Sequence, residues 1–428
     1  MKIAVIGSGV AGMTCAHLLN EQHEVRLFEK NDYIGGHTRT VDVEVQGKSY
    51  AIDTGFIVFN DRTYPNFRAL MRKIGVQWRD TEMSFSVRDP DSGLEYNGNS
   101  INTLFAQRKN LFSPAFFRLI TGILKFNKQA KAAHQNLDRE VTQTLGEFLR
   151  EQQLPQDVAD YYLLPMVAAI WSASIDEAAD FPLDFFLRFF ENHGLLNVAD
   201  RPQWATVCGG SSSYIEPLLG DLIRADRVHL NVNIKAIHRA MAGKNSAVTL
   251  EFADGDMQDF DEVIIASHSD EALALLAEPT AAEQQVLGAI PYQDNEVVLH
   301  TDIRLLPRER RAWASWNYLL HNGDDARQRP SSVTYNMNIL QGIDAPETFC
   351  VTLNNTDAIQ AERILGRYTY AHPVYSLESM RARAQRDSIC GHQHTHFCGA
   401  YWYNGFHEDG VRSALDVVRR LGVEWHVE

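Results

Sequence analysis

The sequence predicts an α/β protein, a Rossmann-like dinucleotide-binding domain with an α+β domain inserted into it. Three observations carry that expectation. A chain of 428 residues is too long for one ordinary core and calls for about two or three domains. Its beginning reads, in register, as strand, glycine-rich turn, helix, strand and acid. Farther on, a helical stretch over 138–196 is followed by β-branched and aromatic runs over 291–357 such as Val297 to His300 and Phe349 to Leu353.

Composition narrows the function classes. With 45% hydrophobic and 22% charged residues the chain is built to fold rather than to stay disordered. Lys and Arg number 40 against 55 Asp and Glu, a net charge of −15, whereas a nucleic-acid surface needs the opposite sign. The five cysteines have no CxxC spacing and read as reduced thiols, and no catalytic or structural metal is expected. The first strand-like run begins at Lys2, which argues against a signal peptide, and no apolar stretch approaches the ~18 residues of a membrane span. The expected location is cytoplasmic, with at most peripheral contact at the inner face of the membrane.

Lys2 to Ile6 leads directly into Gly7-Ser8-Gly9-Val10-Ala11-Gly12 and then a helical pattern from Met13 to Leu19. Gly7 permits the tight turn, Gly9 removes a Cβ from the path of a pyrophosphate, and Gly12 lets the helix pack closely on the strand. Phosphates would then meet free N–H groups at the helix N-terminus. Glu24 to Phe28 reads as the next strand and ends at Glu29, about 20 residues on, where a carboxylate accepts ribose hydroxyls.

Just beyond that acid comes Lys30-Asn31-Asp32-Tyr33-Ile34-Gly35-Gly36-His37-Thr38. The glycine pair resembles the extended FAD signature of glutathione-reductase-like and amine-oxidase-like flavoproteins, and this resemblance implies FAD rather than NAD. An arginine commonly follows the pair in those proteins. Here His37 follows it and Arg39 comes later, so either could meet the pyrophosphate. Val228 to Ile237, Ala247 to Phe252 and Val263 to Ala266 match the same superfamily as strand, hairpin and buried strand. At the other end, His396-Phe397-Cys398-Gly399-Ala400 and Asn404-Gly405-Phe406-His407-Glu408-Asp409-Gly410-Val411 resemble the flavin-closing motif of amine oxidases, phytoene desaturases and protoporphyrinogen oxidases. Ala400 stands where those families carry an acid, leaving Glu408 or Asp409 for the ribityl contact.

The resemblance places cofactor contacts at Gly7, Gly9, Ala11, Gly12, Glu29, Lys30, Gly35, Gly36, His37 and Thr38, near Ile234 and Ala266, and at Gly399, Glu408, Asp409 and Val411. It implies a discontinuous FAD-binding domain of residues 1–85, 203–290 and 387–428, with 86–202 and 291–386 forming the substrate domain. A further likeness joins Asp53 to Asn60, Ser315 to Tyr318 and Thr334 to Asn338. It points to amine-oxidase-like proteins often encoded beside cyclopropane-type fatty-acid methyltransferases, which by association implies an acyl-chain substrate.

If FAD is bound it is the redox agent, and the protein must orient a C–H bond and exclude water. Phe406, with Tyr403 just upstream, matches one aromatic wall of the amine oxidases, and His407 is the preferred acid–base candidate because an imidazole can be tuned near neutrality. His372 is either a base near the flavin or, the more ordinary reading, a histidine capping a turn before Pro373. Asn336 and Asn338 either line the site or bond to main chain. Many amine oxidases use a lysine near the flavin, but none occurs here between Ile290 and Ile303. The expected function is FAD-dependent hydride abstraction from an apolar or amphipathic substrate, an acyl chain or other small molecule, in a desaturase-like reaction. The alternatives are a flavin-containing amine oxidase and a noncatalytic, FAD-retaining lipid-binding protein.

One segment breaks the overall charge. Residues 96–137 contain no Asp or Glu but carry Arg108, Lys109, Arg118, Lys125, Lys128 and Lys131 among apolar residues. Either an amphipathic helix turns a solvated basic face outward, or the segment lies on an anionic membrane.

Overall fold

A computed structural model describes residues 1–135, 143–197, 200–239, 247–321, 323 and 325–425. The end of the basic segment, 136–137, and the start of the predicted helical stretch, 138–142, lie outside the described residues.

The nucleotide end is organised by a five-stranded sheet in the order Val228–His229, Glu24–Phe28, Lys2–Ile6, Glu262–Ile265, Thr395–Phe397, every neighbouring pair parallel. Its strands read as near-continuous apolar runs because both faces are covered, and Ile3, Ala4, Val5, Val25, Leu27 and Val263 to Ile265 are fully buried. From Lys2–Ile6 the chain passes through the helix Val10–Leu19 to a strand on one side, while the strand on the other side arrives from a remote segment. That is a topological switch point, where a crevice opens at the carboxyl ends of the strands.

The helix Val10–Leu19 packs against the C-terminal helix His407–Arg420. Small residues make the approach possible. A Cβ on Gly12 would overlap the Gly7 carbonyl oxygen, and one on Gly410 would lie 2.5 Å from Val10 Cγ1.

The predicted hairpin around Gln46 and Gly47 forms between Thr40–Val45 and Lys48–Asp53, with both turn residues at positive φ (51° and 76°). The expected strand Val228 to Ile237 is instead two elements. Asn231 adopts φ 55°, and Val232 N–H then donates to the Glu29 carbonyl, so Val228–His229 stays in the parallel sheet. Ile234–Arg239 turns away to pair with Val248–Phe252.

The second large sheet has seven strands, ordered Ile364–Pro373, Tyr292–His300, Cys350–Leu353, Ser332–Asn336, Trp316–Leu319, Phe85–Arg88, Glu95–Asn97. It draws on more chain than the predicted 291–357. The edge strand Ile364–Pro373 brings Tyr370 and His372 toward the nucleotide end, and helices such as Leu164–Trp171 and Leu183–Asn192 pack their apolar faces beside the sheet. Among the described residues no helix is long and apolar enough to cross a membrane.

The two glycines of the first turn have separable roles. Gly12→Ala is expected to give insoluble protein or a melting temperature several degrees lower, because backbone would have to move. Gly9→Ala, whose Cβ would meet nothing within 4 Å, is expected to melt like the wild type. Thermal denaturation of cofactor-free protein checks both.

Candidate active site

A cavity of about 950 Å³ opens at the switch point and continues between the two large sheets. Its nucleotide end is the glycine turn and its surroundings. Gly7 has φ 98°, and the helix Val10–Leu19 starts at Gly9 with no side chain capping it, so its first N–H groups are left for a ligand. Glu29 is held by Ser8 N–H and Oγ–H on Oε2 (2.8 and 2.7 Å) and by Asn31 N–H and Nδ2–H on Oε1 (2.9 and 2.8 Å). Ser8 Oγ in turn accepts from Gly35 N–H at 3.1 Å, which ties the second glycine turn to the first. Lys30 pairs with Glu271 at the rim, and Ile234 and Ala266 complete this end.

The histidine, not the arginine, faces the cavity. Arg39 is sandwiched between the rings of Tyr33 and Tyr368, 4.3 and 4.7 Å from their centroids, and is not part of the wall. His37 lines the cavity and stacks at 5.5 Å with His372. Burial, aided by the neighbouring His372, His268 and His407, lowers its pKa well below the usual value, so the ring is neutral. Its Nε2 is buried and has no partner among the described residues. An orphaned polar atom, an uncapped helix end and an open Gly9 together fit a bound dinucleotide. His372 is not a turn residue here. It ends a strand, lines the cavity, and its Nδ1 lies 2.9 Å from Ser172 Oγ, with burial and His268 lowering its pKa to about 4.

The C-terminal motif contributes Gly399, Ala400, Tyr401, Asn404, Gly405, Phe406 and His407 to the wall. The acid–base expectation for His407 is corrected. Its ring stacks on Phe56 with centroids 3.5 Å apart, and Nε2 lies 3.0 Å from Thr38 Oγ1 and 3.1 Å from Tyr214 Oη. Burial lowers its pKa to about 3. It is a neutral ring fastening the helix start to two distant segments.

Other expected contacts are also used elsewhere. Tyr403 donates its hydroxyl to Asp416 at 2.6 Å, and Arg412 lies over its ring, so it faces away from the cavity. The Glu408 carboxylate accepts from Asn66 N–H, Asn66 Nδ2–H and Phe67 N–H at 3.1, 2.6 and 2.9 Å, capping the helix Pro65–Lys73. Asp409 accepts from Phe406 N–H at 2.9 Å and so caps its own helix. Thr38 is tied to Tyr214 and His407, Val411 is core, and Gly12 serves helix packing. Asn336 caps the turn Met337–Leu340, and Asn338 bonds to the Glu347 carbonyl and Phe349 N–H, the main-chain reading of both.

The far end of the cavity is aromatic. Phe406 stacks on Phe189 (5.2 Å, 22°), Phe189 on His193 (3.9 Å, 25°), and Tyr162, Met166, Trp204, Trp316 and Tyr335 extend the wall. Phe189 and His193 escape sequence reading because the Phe pairs of Leu183–Asn192, spaced for one helix face, look the same whether that face meets core or ligand. Burial holds the tyrosines protonated and lowers the His193 pKa to about 4, so these groups are uncharged at neutral pH.

Burial above all raises the pKa of Asp409 from 3.8 to about 7. A carboxyl with a raised folded-state value stabilises the fold while protonated, and that stabilisation is lost as pH climbs from about 4 to about 7. Asp409→Asn keeps an acceptor for Phe406 N–H and cannot ionise. Its melting temperature is expected to gain on the wild type steadily between those pH values. A constant difference across a pH series would contradict the assignment.

Residues 10–336 match the family described as flavin containing amine oxidoreductase. The chain is 24% identical over 192 residues to a 15-cis-phytoene desaturase of Synechococcus elongatus, an alignment covering 41% of this chain and 39% of that one. It is 22% identical over 370 residues to an L-amino-acid oxidase of Siganus canaliculatus, covering 78% of this chain and 61% of the relative. The chain therefore spans less than two thirds of either relative. Among solved structures, a fatty acid isomerase from P. acnes superposes with TM-score 0.67 at 16% identity over 98% of both chains. Cyclohexylamine oxidase from Brevibacterium oxydans gives 0.67 at 15% over 98% of this chain and 99% of that one. The superpositions agree with the predicted α/β fold, and the family match carries the cofactor, FAD, and the reaction class, flavin-dependent oxidoreduction. By that match over most of its length, the chain belongs to the flavin containing amine oxidoreductase family.

Proposed function

We propose that the protein removes hydride from a C–H bond of an apolar or amphipathic substrate, with an acyl chain as the class that best suits the cavity. The observation that carries this reading is the aromatic end, where Phe189, Phe406, Trp316 and Tyr335 offer contact surface, the nearby histidines are neutral and Arg201 stands on the wall beside Tyr162. FAD, when bound, supplies the hydride acceptor. The protein's own part is to exclude water and hold the chain. Phe406, at the start of the helix His407–Arg420, lies between the glycine motif and the aromatic wall.

Introducing a double bond also requires a proton to leave the adjacent carbon. His193 suits that role. Its Nδ1–H donates to the Phe189 carbonyl at 2.9 Å, which fixes the tautomer and leaves the Nε2 lone pair for a proton. Being neutral at pH 7, it can take up that proton, as a base weakened by the burial that lowers its pKa to about 4.

An amine oxidase would hold its substrate between two rings. Phe406 is stacked on Phe189 at 5.2 Å, so one face of its ring is already taken. Long-chain acids and esters are therefore expected to bleach the oxidised flavin under anaerobic conditions, yielding a product two hydrogens lighter, while mono- and polyamines are not. Bleaching by amines alone would replace this reading with the amine one. No bleaching by any reductant of either class would favour the noncatalytic lipid-binding alternative.

His193→Gln is expected to slow anaerobic flavin reduction about 10²-fold with flavin content unchanged. His407→Gln, which removes a structural ring rather than a base, is expected to cost less than about tenfold once loaded with FAD. Stopped-flow absorbance on both variants makes the comparison.

A further inference from the structure

We propose that residues 101–128 form a docking surface for an anionic lipid bilayer. The reading rests on exposed side chains and charge alone, and it stands whichever substrate the cavity takes.

Large apolar side chains seldom project into water without a reason. Among the described residues ten large hydrophobics are well exposed, and half of them, Ile101, Leu111, Phe112, Phe117 and Leu124, fall within this short segment. Ile101 is 79% exposed and Phe112 88%. They are presented on ordered turns rather than on a chain end. Ser100 and Thr103 form a reciprocal cap around Ile101–Leu104, and Arg108 donates to the Phe105 carbonyl at 2.8 Å and also reaches Asn102, locking that turn to the Arg108–Phe112 turn.

The helix Pro114–Gln135 continues the surface. Phe116, Leu119, Gly122, Phe126 and Ala130 face inward, and a Cβ on Gly122 would lie 2.5 Å from Val158 Cγ2, so the inner face is already closely packed. Phe117, Arg118, Thr121, Leu124, Lys125 and Lys128 recur at helical spacing on the outer face. Phe117 and Leu124 are therefore surplus to the core. The accompanying cations lack strong competing partners. Arg118 lies 3.7 Å from an exposed Asp157, and among the described residues Lys125 reaches the Gln152 carbonyl at 3.4 Å, arrangements that water and salt readily exchange.

Charge selects the occupant. The span 96–137 has no acid in a chain of net charge −15, so this face is attracted where the rest is repelled. Protein–protein interfaces are depleted in lysine, whereas apolar tips ringed by Lys and Arg suit a surface of lipid phosphates over acyl chains. The face also adjoins the cavity. Tyr96 lines the cavity and contacts Phe116 at 5.9 Å, so the inner face of this helix packs on the cavity wall.

The test is flotation of FAD-loaded protein with phosphatidylcholine vesicles, with and without phosphatidylglycerol. Binding is expected only with phosphatidylglycerol, weakening as salt rises. Ile101→Ser with Phe112→Ser, and separately Lys109→Glu with Lys128→Glu, should each weaken it at least tenfold. Flavin content and melting temperature should stay as in the wild type, and Ile303→Ser with Leu365→Ser should change nothing. Equal binding to both vesicles, binding to neither, or a dimer abolished by the Phe112 variant would overturn the proposal.

Discussion

The contact on which the site depends is the close approach of two helices to one turn. Gly12 brings the helix Val10–Leu19 against the carbonyl of Gly7, and Gly410 brings the helix His407–Arg420 against Val10. The first is a contact with backbone that tolerates no added atom, and the second is a contact with the Val10 side chain. Together they bring the starts of both helices to the carboxyl end of one parallel sheet, one from each end of the chain. Partial positive charge from aligned peptide dipoles collects there. The sequence spends its acids on holding this arrangement. Glu408 caps a third helix and Asp409 caps its own, so neither carboxylate lies in the cavity wall.

That division of labour explains the electrostatics of the cavity. Its nucleotide end keeps Glu29 and an unpartnered His37 Nε2, polar groups suited to a dinucleotide. Its far end is aromatic, with imidazoles made neutral by burial. Aromatic rings offer a hydrocarbon chain contact surface without unpartnered polar groups to desolvate. His407 belongs to the scaffold, stacked on Phe56 and bonded to Thr38 and Tyr214, whereas His193 presents a fixed tautomer to the substrate side.

The parts legible in the sequence were those whose physics is local. The turn from Gly7 to Gly12, the acid at Glu29 and the hairpin at Gln46-Gly47 each follow from short-range rules about positive φ, helix ends and strand length. Where distant segments meet, local rules give no answer. Nothing local to His407 announces Phe56, Thr38 and Tyr214, so an accessible base and a buried spacer look the same in one dimension. Tyr403 likewise could not be turned away from the cavity without knowing where Asp416 lies. His372 was read through its proline neighbour, although the strand Ile364–Pro373, missed in the sequence, determines its direction. The split of Val228 to Ile237 turned on a single residue, Asn231, whose positive φ no apolar pattern encodes.

That one continuous cavity joins a dinucleotide site to an aromatic substrate site is open to direct experiment. It is tested most directly by a crystal structure of the FAD-loaded protein soaked with a long-chain fatty acid. The nucleotide is expected along Gly9, Glu29 and His37, and the acyl chain along Phe189, Phe406 and Tyr335, with His193 beside it. A nucleotide placed outside the glycine turn, or an acyl chain bound on a surface unconnected with the flavin, would contradict it.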